Sequence, residues 1–288
     1  MDELTRRGLL GWLGGLALAG CQRTAGPAPA GRRLVTVGGA ITEAVYALGA
    51  GGDVVGTDTS SLFPAEATRL TQVGYQRTLS AEGVIALRPT LVLASQDAGP
   101  PAALEQIRAA GVTVEVIPAP PSIAGAQAKV RAVGQKLGRT REAEEIAARI
   151  EKEAAPGIAR GQAVTAKPRV LAVFARGPGA VMVSGRGSAA ASMIELAGGQ
   201  SAAEGIEGTK SLTSESAIAS RADILLATTA GLESMGGVDG LLRTPGLAET
   251  PAGKARRVVM LDDLLLLGFG PRTGEAVTRL AGALHGAG

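Results

Sequence analysis

Two segments of the sequence repeat each other, and this repeat limits the folds that the chain can adopt. LSAEGVIALRPTLVLAS (residues 79–95) and LTSESAIASRADILLAT (residues 212–228) align without a gap at an offset of 133 residues. In both, a helical pattern opens with a hydroxyl residue and a glutamate, reaches an arginine and is followed by an apolar strand. The repeats of solenoid proteins are far shorter, roughly 20–50 residues. The offset therefore predicts two similar lobes that enclose a cleft.

Short apolar runs alternate with helical patterns around this repeat, which is typical of an α/β fold with parallel sheets. The runs predicted to be strands are 34–37, 54–57, 91–95 and 112–117 in the first half, and 169–175, 180–185, 222–228 and 256–261 in the second. We therefore predict two Rossmann-like lobes with parallel sheets, residues 33–138 and 166–288, with a ligand cleft between them.

The two lobes are expected to be joined by a single long α-helix within residues 139–165. Helical patterns cover 123–137 and 141–162, and the second of these carries charged residues on most of its faces. A helix that is polar nearly all round usually bridges domains through solvent. Pro156 is expected to kink this helix or to end its regular part.

The first twenty residues have the pattern of an export signal. Residues 5–10 (TRRGLL) resemble the twin-arginine motif, and the apolar stretch that follows is too short to span a bilayer comfortably. LAGC at 18–21 matches the lipobox of bacterial lipoproteins, in which Cys21 takes the lipid. We predict a signal peptide over residues 1–20 and a flexible tether over residues 21–32. The protein is then exported and lipid-anchored at the periplasmic face of an inner membrane or the outer face of a Gram-positive membrane.

Composition and charge argue against several classes of function. The formal net charge of +3 is spread along the chain, and no basic run has interleaved aromatic residues, so nucleic-acid binding is not expected. Cys21 is the single cysteine, so the chain has no disulfide framework and no CxxC pair. One histidine, His285, is too few for a typical zinc or manganese carrier.

The repeat, the bridging helix and the export signal together resemble the substrate-binding proteins of bacterial ABC importers, in the helix-linked class that serves vitamin B12, siderophores and haem. Within that class, VGYQRTLSAEGVIALRPTLVLAS (residues 73–95) and LLGFGPRT (residues 266–273) are similar to the haem-binding family. The resemblance spans residues 33–285. It implies haem as the transported ligand, an ABC permease dimer with its ATPase as the partner, and no catalytic residues.

Tyr75 lies in the most specific part of the resemblance. It is one of only two tyrosines and follows a glycine in a connection rather than in a core segment. A phenolate is a hard, anionic ligand for ferric iron, and tyrosine is one of the known axial ligands of haem. Taken by itself, the sequence favours an ordinary loop tyrosine whose ring packs against a lobe. The resemblance favours an axial ligand.

Arg77 is expected to help Tyr75 to ionise. The ordinary pKa of a tyrosine phenol is about 10, so a phenolate near neutral pH must be stabilised by the iron and by a neighbouring cation. In an extended segment, residues two apart project to the same side. Arg77 would therefore sit beside Tyr75.

We predict five-coordinate iron, held by Tyr75 alone. His285 is expected to be exposed on a terminal helix and not to be a ligand. Three methionines are the remaining candidate ligands, and core packing is the expected role of each: Met182, Met193 and Met235.

Cationic side chains at the rim of the cleft are expected to bind the haem propionates. Arg176 follows the strand at 169–175, and Arg186 follows the strand at 180–185, so both are candidates on the C-terminal lobe. A solvated surface arginine is the alternative for each. Arg272 belongs to the GFGPRT motif, and the sequence leaves open whether it faces the ligand or the fold.

Glu82 and Glu215 occupy equivalent positions in the repeat, each early in a helix. A carboxylate at that position is favoured by the helix dipole, which is the simpler explanation. The resemblance implies a second one, in which this pair, one per lobe, binds arginines on the two permease subunits.

Two alternative functions stay open at this point. The first is a binding protein for a corrinoid or a ferric siderophore, although cobalamin sites tend to use aromatic walls and this chain has one Trp, two Tyr and three Phe. The second is a chelatase-like enzyme of similar two-lobed shape. Against it, the sequence contains no Ser/His/Asp set, no metal cluster and no P-loop.

Overall fold

The computed structural model describes residues 31–175, 177 and 181–286, and the residues from Arg32 onward form one compact unit. The predicted signal peptide, Cys21 and Arg176 lie outside the described residues. None of the described helices combines the length and the apolar character that crossing a membrane requires.

A parallel sheet forms the centre of the N-terminal lobe. The elements of this lobe are β1 (Leu34–Val37), α1 (Gly39–Ala47), β2 (Val54–Thr57), β3 (Thr71–Gln72), β4 (Gly74–Tyr75), β5 (Thr78–Leu79), α2 (Ala81–Ala86), β6 (Leu91–Ser95), α3 (Pro101–Ala109) and β7 (Thr113–Ile117). The sheet has five strands in the order β3-β2-β1-β6-β7, and β4 and β5 form a separate antiparallel hairpin.

Two helices follow, α4 (Ile123–Leu137) and α5 (Thr140–Ala163), and lead into the C-terminal lobe. The elements of that lobe are β8 (Arg169–Ala175), β9 (Val181–Ser184), α6 (Ala189–Leu196), β10 (Gln200–Ser201), β11 (Thr209–Ser211), α7 (Ser214–Ser220), β12 (Ile224–Thr228), α8 (Thr229–Ser234), α9 (Gly237–Leu242), α10 (Pro251–Lys254), β13 (Val258–Leu261), α11 (Asp263–Leu267) and α12 (Thr273–His285).

The second sheet has the order β11-β9-β8-β12-β13, with β10 also paired to β8. Strands β8, β10, β12 and β13 are parallel, whereas β9 runs antiparallel to β8 and β11 antiparallel to β9. The predicted α/β fold with two lobes is confirmed, and the antiparallel direction of β9 is a departure from the expected pattern. The limits predicted for the domains, at residues 138 and 166, stay predictions.

The repeat is preserved in the backbone as well as in the sequence. At the offset of 133 residues, β6 coincides with β12, and α2 coincides with the first six residues of α7. Ser80 and Thr213 each cap their helix by accepting a hydrogen bond from the backbone N–H three residues on. Arg88 and Arg221 follow these helices, and both adopt a left-handed backbone with φ of 46°.

An arginine at the start of each lobe caps the far end of the repeated helix. Arg33 Nη2 donates to the Leu87 carbonyl at 2.7 Å, and Arg169 Nη2 donates to the Ser220 carbonyl at 2.8 Å. Leu87 and Ser220 are equivalent in the repeat. The last carbonyls of a helix lack partners within it, so a cation there is favourable. The same local design therefore positions α2 and α7.

Helix α5 is amphipathic, so the prediction of a solvent-bridging helix that is polar nearly all round was wrong. One face is buried between α4 and α12, and it consists of Ala143, Ile146, Ala147, Ile150, Ala154, Gly157 and Gly161. The charged residues occupy the remaining faces. The buried stripe was not recognised in the sequence because most of its side chains are small. Pro156 lies inside the helix and does not end it.

The lobes share one hydrophobic core. Leu34 and Leu93 from the first sheet, Ile150 from α5 and Leu226 from the second sheet all have no exposed side-chain area and belong to a single cluster of contacting residues. Leu280 of α12 belongs to it as well. Burial of apolar area is the main source of stability in folding. The two lobes are therefore packed together through α4, α5 and α12 rather than connected only by a tether.

The edges at which the parallel strands end, called the carboxyl edges below, border the same region. Helix α1 begins directly after β1, and its first residue, Gly39, packs against Leu264 of α11, which follows β13. A side chain at Gly39 would overlap Leu264 and the Ser60 carbonyl. In open α/β sheets, ligands bind outside the carboxyl ends of the strands. The two carboxyl edges therefore define the expected ligand cleft.

Candidate ligand-binding site

Tyr75 is held at the carboxyl edge of the N-terminal lobe by a β-hairpin. It pairs with Thr78 across the hairpin, and Gln76 and Arg77 form the turn. Thr59, in the loop after β2, donates its N–H to the Gly74 carbonyl at 2.9 Å. Gly74 has a φ of 99°, which favours glycine at the first hairpin position. Tyr75 is half-buried.

The loop after β6 fixes the other side of this hairpin. The Gly99 N–H donates to the Gln76 carbonyl at 2.8 Å, and the Leu79 N–H donates to the Gly99 carbonyl at 2.8 Å. Ser95, the last residue of β6, donates its hydroxyl to Gln76 Oε1 at 2.9 Å. The hairpin therefore bridges the ends of β2 and β6, and this places Tyr75 at the carboxyl edge of the N-terminal lobe.

Arg77 lies in the hairpin turn, so the extended segment from which its position was predicted does not exist. Its guanidinium forms an ion pair with Asp97, with Nη2 and Oδ2 3.4 Å apart, and both side chains are more than half exposed. An exposed pair of this kind contributes little to stability. The turn keeps Arg77 close in sequence and space to Tyr75, and its role toward a ligand stays a prediction.

Arg186 does not lie at the carboxyl edge, which corrects the placement expected from the sequence. Strand β9 starts opposite Ala175, the last residue of β8, and ends with Ser184 opposite Ala172. Because β9 is antiparallel, Arg186 lies toward the amino end of β8. Its side chain is 78% exposed, and its Nε forms a loose ion pair with Glu207 Oε1 at 3.9 Å. The other propionate candidate, Arg176, is outside the described residues.

His285 is half-buried rather than fully exposed, because its Nε2 forms a 2.9 Å hydrogen bond with the Ala197 carbonyl. The methionines also serve the fold. Met193 is fully buried, and Met182 and Met235 are partly buried, Met235 against the core of the C-terminal lobe. No cluster of three or more His, Cys, Asp or Glu residues that could hold a metal ion occurs in the described part of the chain.

Arg272 of the GFGPRT motif faces the fold and joins the two lobes. It binds Glu43 of α1 through Nε at 3.0 Å and Nη2 at 2.9 Å, and the Glu43 side chain is only 5% exposed. Burial alone lowers the pKa of Arg272, but the hydrogen bonds and charge of Glu43, together with the charges of Asp262 and Glu275, outweigh it, so the pKa is raised. Arg272 also lies over the ring of Phe63, with Cζ 3.8 Å from the centroid.

Lys129 of α4 makes a second contact between the lobes. Its ammonium donates to the carbonyls of Gly268 and Phe269 at 2.8 and 2.9 Å. Burial lowers the pKa of Lys129 from 10.5 to about 8, against the opposing effects of Glu43 and Asp97. The sequence analysis missed this residue. The available signal was a lysine on the apolar face of α4, next to Val130 and Val133 in the buried stripe.

Asp58 organises the loop that follows β2. This fully buried carboxylate accepts hydrogen bonds from the Gly38 N–H at 2.8 Å, the Ser61 hydroxyl at 2.8 Å and the Ser60 hydroxyl at 2.6 Å. Ser61 in turn bonds the hydroxyl of Thr42 in α1 at 2.6 Å. Buried polar groups that are fully satisfied rigidify their surroundings. The network fixes the loop against the start of α1.

A cavity of about 470 Å³ lies at the carboxyl edge of the C-terminal lobe. The Gly177 N–H donates to the Ser234 hydroxyl at 3.0 Å, and the Ala230 N–H donates to Asp263 at 3.2 Å, so part of its polar lining is already paired. The residues that line it are Phe174, Ala175, Gly177, Ala230, Gly231, Ser234 and Asp263. The residues that line this cavity lie where the C-terminal side of the cleft is expected.

Glu82 and Glu215 lie in the first turns of α2 and α7, as the repeat indicates, and both are exposed. Within the described ranges, neither carboxylate takes part in an ion pair. Both are therefore accessible to a partner, one on each lobe. Their docking role stays a prediction.

Comparisons with known proteins agree with the two-lobed fold. The family model described as "Periplasmic binding protein" matches residues 34–265. Among curated proteins, the chain is 24% identical over 257 residues to an uncharacterized ABC transporter substrate-binding lipoprotein, YvrC of Bacillus subtilis, covering 88% of this chain and 80% of that protein.

Solved structures give higher similarity. The periplasmic heme-binding protein RhuT from Roseiflexus sp. RS-1, in its apo form, is 48% identical with a TM-score of 0.85, over 88% of this chain and 98% of that one. The periplasmic heme-binding protein BhuT, in complex with two hemes, is 42% identical with a TM-score of 0.82, over 88% and 98% of the two chains.

Proposed function

Since this chain belongs to the periplasmic binding protein family, we propose that it captures haem outside the cytoplasm and delivers it to an ABC importer. The observation that carries the proposal is the position of Tyr75 on a rigid hairpin at the carboxyl edge of the N-terminal lobe. Two haem-binding proteins of 48% and 42% identity share the fold over 88% of the chain. We propose no catalytic role.

In this proposal, Tyr75 binds the haem iron through its phenolate oxygen and is the single protein ligand. Iron lowers the cost of ionising the phenol, and the positive charge of Arg77 adds to this effect. The hydrogen bonds between the hairpin and its neighbouring loops hold the tyrosine in place, so that little conformational freedom is lost when haem binds. Propionates then lie toward the rim, where Arg176 remains a candidate donor.

The chain offers a matched pair of variants for the test, because it has only two tyrosines. Tyr75→Phe removes one oxygen from the proposed ligand, and Tyr46→Phe removes the same oxygen from a tyrosine on α1. Added haemin should give a high-spin, tyrosinate-type absorbance spectrum with the wild type and with Tyr46→Phe, and this spectrum should be lost in Tyr75→Phe.

Two outcomes would contradict the proposal. One is a wild-type protein that does not bind haemin but binds cyanocobalamin or a ferric siderophore, which are the alternative cargoes. The other is an unchanged haemin spectrum in Tyr75→Phe, which would remove Tyr75 as the iron ligand while leaving haem as the cargo.

Membership of the family supports an exported location, and a lipoprotein of B. subtilis is among the relatives. We propose that residues 1–20 are removed on export and that Cys21 carries the lipid anchor. The anchor keeps the binding protein near its permease, where a tether over residues 21–32 gives it reach. Glu82 and Glu215 would then bind basic side chains on the two permease subunits, one subunit for each lobe.

A further inference from the structure

Leu62 and Phe63 form an exposed apolar pair, the Leu62–Phe63 lip. Their exposed fractions are 49% and 41%, and they are the only adjacent large apolar residues that are exposed in the described part of the chain. Single exposed apolar residues are ordinary, and only larger contiguous apolar patches mark by themselves a surface that another molecule covers. What sets this pair apart is its position relative to Tyr75. Aromatic residues are also scarce in this sequence. The surroundings of the lip therefore decide whether another molecule covers it.

The lip lies at the same edge as Tyr75. It belongs to the loop after β2, which the Asp58 network anchors against α1. Four residues before Phe63, the Thr59 N–H donates to the carbonyl of Gly74, the neighbour of Tyr75. The loop that carries the lip and the hairpin that carries Tyr75 are thus bonded to each other at the carboxyl edge of the N-terminal lobe.

The Phe63 ring is supported from the C-terminal lobe. Arg272 covers one face of the ring, 3.8 Å from its centroid, and is itself fixed by the buried carboxylate of Glu43. A guanidinium over an aromatic face is a favourable cation–π contact. The ring is held from one side, and Phe63 as a residue remains 41% exposed. This is a preformed aromatic surface at the junction of the lobes.

We infer that the Leu62–Phe63 lip is an apolar wall of the haem site, with the exposed part of the Phe63 ring in contact with the porphyrin. The inference rests on the proposed function and names a contact of the same site. A porphyrin is flat, aromatic and largely apolar, and aromatic rings stack favourably with such surfaces. Tyr75 supplies a bond to the iron, and the lip removes apolar area of both ligand and protein from water.

The rate of haemin dissociation tests the contact. Haemin-loaded protein is mixed with excess apomyoglobin, and haemin transfer is followed by absorbance. We expect Phe63→Ala to release haemin about tenfold faster than the wild type, and Phe63→Leu to release it about threefold faster, because only the aromatic contact is lost. Both should keep the tyrosinate-type spectrum, which reports Tyr75 and not the lip.

Ile218→Ala is the matched control, because Ile218 is also 49% exposed but lies on α7, outside the cleft edge. Its haemin release should equal that of the wild type. Release that is unchanged in both Phe63 variants would overturn the inference while the spectrum still supports the proposed function. A wild type without haemin binding would overturn both.

A fluorescence measurement tests the proximity without relying on affinity. Trp12 is the one tryptophan of the sequence and lies in the predicted signal peptide, so Phe63→Trp in protein that starts at residue 21 has a single indole. Haemin should quench this indole almost completely, and clearly more than it quenches the indole of Ile218→Trp. Equal quenching of the two indoles would count against a lip in the haem site.

Discussion

At the scale of single residues, Lys129 makes stability depend on pH. Its folded-state pKa of about 8 is below the ordinary 10.5, so between these values the unfolded chain binds a proton that the folded chain does not. Stability must then rise with pH across this window. Below pH 8 the burial of a charged ammonium opposes folding, and above pH 10.5 this opposition is gone.

Lys129→Met should therefore reveal a pH-dependent difference in the free energy of unfolding. The variant loses the donors to the Gly268 and Phe269 carbonyls, so we expect it to be less stable at every pH. Between pH 7 and pH 10, the wild type should gain about 2 kcal/mol relative to the variant. Urea denaturation at the two pH values measures this gain.

Lys136→Met is the control on the same helix, because Lys136 is exposed and pairs with Glu115 at the surface. It should change stability by less than about 1 kcal/mol. A difference between the wild type and Lys129→Met that is constant with pH would show that Lys129 titrates normally in the folded protein.

Sequence reasoning succeeds at this scale where local pattern decides the outcome. Tyr75 reaches the carboxyl edge, and Glu82 and Glu215 begin their helices, because strand ends and helix starts are encoded nearby. Arg186 was misplaced, and the extended backbone expected at Arg77 is a turn, because antiparallel strands and hairpins depend on how segments pair with one another. The contact of Arg272 with Glu43 joins residues 229 apart, which no local pattern encodes.

At the scale of elements, helices α5 and α12 approach closely because glycine lies between them. A Cβ at Gly157 would stand 2.7 Å from the Thr278 Cα, which is backbone and cannot move aside easily. Thr278 also donates its hydroxyl to the Glu153 carbonyl, one turn before Gly157. The glycine and the threonine therefore seat α12 against α5.

Gly157→Ala should destabilise the protein by about 1–3 kcal/mol, since the new methyl group forces the helices apart. Gly282→Ala on α12 is the matched control, because its Cβ would meet only the flexible end of Arg160 at 3.4 Å. That variant should be neutral or more stable by up to about 1 kcal/mol. Thermal unfolding of the two variants gives the comparison, and equal midpoints would refute the close contact.

The boundaries of α4 were predicted to the residue, and so were those of β1, β2, β6 and β8. These elements have strong periodicity or a continuous apolar run with clear ends. The buried face of α5 escaped prediction because alanine and glycine give a weak apolar signal, while the charged residues around them dominate. Whether such a stripe is buried is decided by the partner helix.

At the scale of the whole molecule, α2 and α7 each pack in the core of their own lobe, and the shared core joins the two lobes. Glu82 and Glu215, for which we propose a docking role, lie in the first turns of these helices. A permease with two-fold symmetry presents the same surface twice, and two equivalent carboxylates on a rigid body match such a partner.

Charge reversal tests this docking. Glu82→Lys and Glu215→Lys should each reduce haem uptake at least tenfold in cells that carry the matching permease, because a repulsive pair replaces an attractive one. Haemin binding by the purified variants should be unchanged. Glu249→Lys is the control, since Glu249 is exposed and not in the first turn of a helix. Equal loss of haemin binding and uptake would assign these glutamates to the cargo site instead.

The place of α12 in the sequence affects how the protein is made. This helix follows both sheets in the sequence, yet it packs against α5. Arg272, directly before α12, donates a hydrogen bond to Glu43 in α1, the first helix. The ribosome therefore synthesises α12 only after the strands of both sheets. Until α12 has been made, the part of the apolar face of α5 that packs against it has no partner, while α4 covers the rest of that face. We therefore expect the packing of the two lobes against each other to be a late step in folding.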